Sequence, residues 1–83
     1  MPYITQKARP QYDHALSQIN KIHSKGDLEY CIFWLMKKYM STNQFKYSHL
    51  HDTTYACYHA GHEFRRRYLD KRENVALEQN GDI

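Results

Sequence analysis

DLEYCIFWLMKKY, residues 27–39, decides the fold of this chain. Its apolar side chains recur at intervals of three and four residues, which is typical of one face of an α-helix and not of a β-strand. Asp27 is the predicted N-cap, because its carboxylate can accept a hydrogen bond from a backbone N–H of the first turn. The predicted core face consists of Leu28, Cys31, Ile32, Leu35, Met36 and Tyr39.

The segment before residue 27 predicts a shorter helix, helix 1. Pro10 suits its first turn, since a residue there needs no N–H donor. Gly26 is the expected left-handed stop between this helix and the next. The apolar positions of helix 1 are Tyr12, Ala15, Leu16, Ile19 and Ile22.

The segment after residue 39 predicts a long third helix and a short fourth one. A polar link over residues 41–44 leads through Phe45 and Tyr47 to a predicted cap at Ser48. Helix 3 is expected to run to about Tyr68, and a short helix to follow from Asp70. Small residues in the middle of its inner face would let another helix approach closely. That face consists of Leu50, Thr54, Cys57, Ala60, Gly61, Phe64 and Tyr68.

These patterns predict an all-α fold, a small antiparallel bundle of three main helices with a short C-terminal helix. The chain has 83 residues, which favours one domain over residues 1–83 with an N-terminal arm at 1–9 and a tail at 80–83. A chain this short buries only about 60% of its unfolded surface, so self-association would add stability. Four side chains of the second helix point away from the core face and would be exposed in a monomer: Tyr30, Phe33, Trp34 and Met40.

The expected location is the cytoplasm. Cys31 and Cys57 are too few for a disulfide framework and are interpreted as buried free thiols in a reducing compartment. No run approaches the about 20 apolar residues that cross a bilayer, and the N-terminus lacks the layout of a signal peptide.

Several short motifs resemble those of a family of small proteins of unknown function that is common in phage and prokaryotic genomes. They are residues 2–4, residues 26–30, Tyr47, the block at 63–67 and Asn-Gly-Asp at 80–82. The resemblance implies a helical fold and a viral or mobile-element source, with the host-cell cytoplasm as the location. It implies no activity.

A basic and aromatic surface on helix 3 is the candidate ligand site. The formal net charge is +3, and much of it lies in Arg65, Arg66 and Arg67. Guanidinium groups can bind phosphate oxygens and aromatic rings can stack on a base, so this surface suits a nucleotide-like anion. One alternative is a solvated helix end, and another is pairing of Arg66 and Arg67 with Glu63. The aromatic and imidazole members of the candidate site are Tyr55, Tyr58, His59 and His62.

Neither a metal site nor a catalytic site is predicted, and no cofactor is expected. His59, His62 and Glu63 match no zinc-protease order, and a third ligand such as His49 or His51 would come from two turns earlier. The two cysteines lie on predicted core faces, where a thiol is not activated.

Tyr30, Trp34 and Lys37 form a line along the second helix that we term the α2 strip. An exposed aromatic strip of this kind is typical of a protein interface, here a homo-oligomer seam or a contact with a host protein. The alternative is burial against helix 1 or the N-terminal arm.

Three functional hypotheses follow. The first is a non-enzymatic homo-oligomer that sequesters an anionic nucleotide-like signal, an anti-defence sponge. The second is a protein-directed inhibitor or adaptor that binds a host protein through exposed aromatic residues. The third is a small nucleic-acid-binding protein, which a net charge of +3 favours least.

Overall fold

The structure is a computed structural model that describes residues 3–81. Over that range it contains helices and no strand, which confirms the all-α class. The elements are a 3-10 turn Gln6–Ala8, α1 Pro10–Ser17, α2 Lys25–Ser41, α3 Tyr47–Phe64, a π-helical turn Arg65–Leu69 and α4 Asp70–Asn80. Residues 1–2 of the predicted arm and 82–83 of the predicted tail lie outside the described residues.

The start of α2 differs from the prediction. Ser24 is the N-cap, and its Oγ accepts a hydrogen bond from the backbone N–H of Asp27 at 3.0 Å. The prediction that Asp27 caps the helix is therefore wrong, although its carboxylate still lies in the first turn, where the helix dipole favours a negative charge. Gly26 lies inside this turn, and Gly81 is the one described residue with a positive φ, so a left-handed stop at Gly26 is also wrong.

Helix α1 is shorter than predicted. It ends at Ser17, whose hydroxyl donates to the His14 carbonyl at 2.7 Å and so offers the backbone an alternative to a continued helix. Ile19 and Ile22 therefore lie beyond α1.

Helix α3 begins one residue before the predicted cap. Lys46 holds the N-cap position without a side-chain hydrogen bond, so the assignment of Ser48 as cap is wrong. The α-helical pattern ends at Phe64 instead of Tyr68, and the π-helical turn carries the chain on to α4, which begins at Asp70 as predicted. At about 1.5 Å per residue, the helical run from 47 to 80 would span about 50 Å. The longest dimension of the molecule is also 50 Å.

Helices α2 and α3 contact each other near the link that joins them. The Thr53 hydroxyl lies 3.0 Å from the Met40 sulfur, and the rings of Tyr39 and His49 meet edge to face with centroids 6.5 Å apart. Met40 and Thr53 are the only buried side chains among residues 3–81. The expectation that Met40 would be exposed in a single chain is therefore wrong.

The rest of the chain packs loosely. Among the described residues, the backbone of α1 approaches only the 3-10 turn and that of α4 only the π-helical turn. The antiparallel bundle is therefore not confirmed. Both cysteines are half-buried instead of buried.

An open groove lies between α2 and α3, and the predicted α2 face lines it in all but Cys31. The predicted α3 face is partly wrong, because Thr53 and not Thr54 meets Met40 of α2. Of the predicted α3 face, Leu50, Thr54 and Tyr68 do not line the groove, whereas the unpredicted residues Asp52, Thr53 and Ala56 do.

Replacing the observed N-cap of α2 tests this account of the helix start. Ser24→Ala should lower the free energy of unfolding by about 1 kcal/mol, because a first-turn N–H loses its acceptor. Ser48→Ala is the matched control, since Ser48 makes no cap. Denaturant unfolding followed by circular dichroism measures both, and an equal cost for the two variants would contradict the cap assignment.

Candidate functional site

The outer face of α3 carries a row of interacting rings that we term the aromatic ladder: Tyr47, His51, Tyr55, Tyr58 and His59. Spacings of three and four residues place them on one side of the helix. The closest pair is His51 and Tyr55, stacked with ring centroids 4.2 Å apart and planes inclined by 24°. Tyr47 lies 6.1 Å from His51, Tyr58 5.6 Å from Tyr55, and His59 6.5 Å from Tyr55.

The ladder joins three of the predicted site residues and adds two that sequence reasoning missed. The sequence predicted Tyr55, Tyr58 and His59 as site residues. It placed Tyr47 between the polar link and helix 3, and it named His51 only as a possible third metal ligand. The four-residue repeat of Tyr47, His51, Tyr55 and His59 was the signal that could have found them.

His62 lies one turn beyond the ladder. By helical periodicity it belongs to the same side of α3, yet it makes no ring contact with the ladder among residues 3–81. Along the helix, His62 lies between the aromatic ladder and the arginines at 65–67.

The three predicted arginines are all paired within the chain. Glu63 accepts hydrogen bonds from Arg66 Nη2 at 2.6 Å and from Arg67 Nε at 2.6 Å. Arg65 Nε donates to Asp70 at 3.1 Å. The pairing of Arg66 and Arg67 with Glu63 is the scaffold alternative that the sequence left open.

These ion pairs change the acid–base properties of the site. Hydrogen bonds from Arg66 and then Arg67 lower the pKa of Glu63 from its ordinary value of 4.5 to about 2. The hydrogen bond to Glu63 in turn raises the pKa of Arg66. Three guanidiniums and two carboxylates leave one net positive charge, so the arginines form a weaker anion site than their number suggests.

The same arginines remain accessible. The side chains of Arg66 and Arg67 are 66% and 51% exposed, whereas that of Glu63 is 23% exposed. They also lie in the π-helical turn Arg65–Leu69, and single π-turns inside α-helices are frequent at functional sites. An incoming phosphate can therefore reach guanidinium N–H groups that Glu63 does not use.

The α2 strip is exposed. Tyr30 and Trp34 are 71% and 52% accessible, so burial against helix 1 is not observed. The ammonium of Lys38 lies 5.5 Å from the centre of the Trp34 ring. Sequence reasoning named Lys37 and missed Lys38, although a spacing of four residues from Trp34 would have indicated it.

Among residues 3–81, no three His, Cys, Asp or Glu side chains lie close enough together to hold a metal ion. Over the same residues, none of the helices combines the length and apolar character needed to cross a bilayer.

Comparison with known proteins identifies a family without an assigned activity. A family model described as "Domain of unknown function (DUF6899)" matches residues 1–83, so the chain belongs to this family. No curated protein and no solved structure matches the chain.

Acid titration tests the Glu63 pairs. Because the pKa of Glu63 is lower in the folded chain, the unfolded chain binds the proton first as the pH falls from 4.5 to about 2. The contribution of these pairs to stability is present above pH 4.5 and should be lost over that interval. Helicity measured by circular dichroism should fall further in the wild type than in Glu63→Gln. Parallel curves would show that the pairs contribute nothing.

Proposed function

We propose that the protein is a non-enzymatic binding protein that acts in the cytoplasm as a homo-oligomer and sequesters an anionic nucleotide-like ligand. The observation that carries this proposal is the aromatic ladder on the same long helix as the exposed arginines. The resemblance to a family common in phage genomes suggests a role against host defence. In that role the protein would act as a sponge that lowers the free concentration of a host signal nucleotide.

The ladder supplies the base-binding part of the proposed site. Stacking of a base on an aromatic side chain is worth about 1–3 kcal/mol and tolerates any base. The rings of His51 and Tyr55 already stack on each other, so little side-chain freedom is lost when a base joins them.

The arginines supply the phosphate-binding part. His59, His62 and Arg66 follow one another along the helix, and His59 and Arg66 are about 10 Å apart along its axis. A nucleotide whose base lies on the ladder would direct its phosphates toward Arg66 and Arg67. Those side chains would then exchange part of their bonding to Glu63 for bonding to phosphate, which carries more charge.

The α2 strip favours a second candidate function, binding of a host protein. Trp34 is exposed and Lys38 already lies over its ring, which makes a preformed aromatic surface of the kind that dominates protein interfaces. This candidate predicts binding without any small ligand and loss of binding in Trp34→Ala.

Removing the central ring of the ladder tests the base site. Tyr55→Leu should weaken binding roughly tenfold or more in calorimetric titrations with a panel of cyclic and linear nucleotides, because one stacking surface is lost. Tyr30→Leu is the matched control, since Tyr30 is an exposed tyrosine of the α2 strip. Absence of binding in the wild type, or equal losses in both variants, would contradict the proposal. Single-stranded oligonucleotides belong in the panel, and preferential, strongly salt-dependent binding to them would favour a nucleic-acid-binding protein instead.

Removing two guanidiniums tests the phosphate site. The double variant Arg66→Gln, Arg67→Gln should abolish nucleotide binding, with a loss of helicity no larger than that of Glu63→Gln, which breaks the same ion pairs but keeps both guanidiniums. The double variant Lys71→Gln, Arg72→Gln removes the same charge from the next turn and should bind as the wild type does. If Glu63→Gln also loses binding, or if both double variants weaken binding equally, the arginines are scaffold or general charge and not a phosphate site.

A further inference from the structure

No segment within residues 3–81 occupies the groove between α2 and α3. Its volume is about 940 Å³, and apolar side chains make up most of its lining. The lining residues on which the inference rests are Leu28, Ile32 and Leu35 from α2 and Ala56, Ala60 and Phe64 from α3. We infer that a second copy of this chain closes the groove by packing its own α2–α3 groove against it. This inference rests on one part of the proposed function, that the protein is a homo-oligomer. It does not depend on the ligand.

The surface area of the chain is large enough for an interface between two copies. The accessible surface is 7981 Å² for a mass of 10.1 kDa. A compact monomer of this mass exposes about 5,300 Å², so the excess is about 2,700 Å². Obligate homodimers bury roughly 2,000–5,000 Å² in total, or about 1,000–2,500 Å² on each chain. The excess lies just above this range, so it is large enough to contain the area that a permanent partner would cover.

The chain's own α1 is too short to fill the groove. Eight residues of helix are about 12 Å long, whereas the 17 residues of α2 are about 26 Å long. The groove runs along residues 28–39 of α2 and 52–64 of α3, about 18–20 Å of helix, which the 17- and 18-residue helices of a second copy are long enough to cover.

The chemistry of the groove is compatible with a second copy of itself. Asp52 is its one charged lining residue, so two copies would meet with little like-charge repulsion. A Cβ atom at Gly61 would have no neighbour within 4 Å, so nothing in the single chain requires glycine there. Glycine inside a helix is less stable than alanine, and close approach of a second backbone accounts for its presence.

The proposed interface leaves the candidate ligand site free. At about 100° per residue, Ala60 and Phe64 of the groove lie on the side of α3 opposite Tyr55 and His51. Two chains joined through their grooves would therefore carry their aromatic ladders on the outside of the assembly.

A matched pair of variants distinguishes the groove from the α2 strip. Leu35 and Trp34 are neighbours in α2 and are 46% and 52% exposed, so a single chain would tolerate a carboxylate similarly at either position. In sedimentation velocity of the full chain without nucleotide, the wild type should have a mass of at least twice 10.1 kDa. Leu35→Glu should reduce the mass to one chain, whereas Trp34→Glu should leave it unchanged.

Alkylation of Cys57 keeps the inference testable if Leu35→Glu fails to fold. Cys57 lines the groove, and Cys31→Ser leaves it as the one thiol. Its reaction with N-ethylmaleimide should be slow at high protein concentration and faster on dilution.

A wild type that is monomeric throughout, or an oligomer that only Trp34→Glu dissociates, would overturn the inference. So would a monomer whose Cys57 is protected at every concentration, because that result would place α1 in the groove. If the wild type is a monomer and Tyr55→Leu still weakens its nucleotide binding, the groove pairing is overturned but the ligand site is not.

Discussion

The exposure of the apolar faces of α2 and α3 among residues 3–81 is the constraint on which the rest of this structure depends. Burying one Leu or Ile side chain contributes about 1.5–3 kcal/mol, and this contribution must offset about 1–2 kcal/mol of backbone entropy for each ordered residue. Among the described residues, Met40 is the one buried hydrophobic side chain. The helices therefore need further burial to be stable, and we propose that a second copy of the chain supplies it.

In our proposal, helix α3 serves assembly with one side and ligand binding with the other. Small residues such as Ala56, Ala60 and Gly61 face the groove, whereas the aromatic ladder lies on the other side. The π-helical turn then continues α3 into α4, so that the rings and the arginines belong to one continuous helical run. Assembly and ligand binding are therefore compatible in one short chain.

Local sequence signals predicted the helices and some of their ends, while contacts between residues distant in the chain could not be predicted. Periodicity gave the all-α class, and Asp70 was identified correctly as the start of α4. Ser24 and Asp27 both have side chains that cap helices, and only the backbone geometry shows that Ser24 accepts the hydrogen bond. The α2 face was recognised almost completely from its spacing and the α3 face only in part, because spacing does not show that Thr53 and not Thr54 meets the neighbouring helix. Spacing also does not say whether a partner helix comes from the same chain. The pairing of Glu63 with Arg66 and Arg67 was foreseen as an alternative because it depends on helical spacing alone.

The dependence of the thermal unfolding midpoint on protein concentration tests most directly whether the fold is completed between chains. Only association makes this midpoint depend on concentration, because a monomer unfolds without a change in the number of particles. The account predicts that the midpoint of the wild type rises as protein concentration increases over roughly a hundredfold range. A cooperative transition whose midpoint stays constant over that range would contradict it, since the single chain would then be stable by itself.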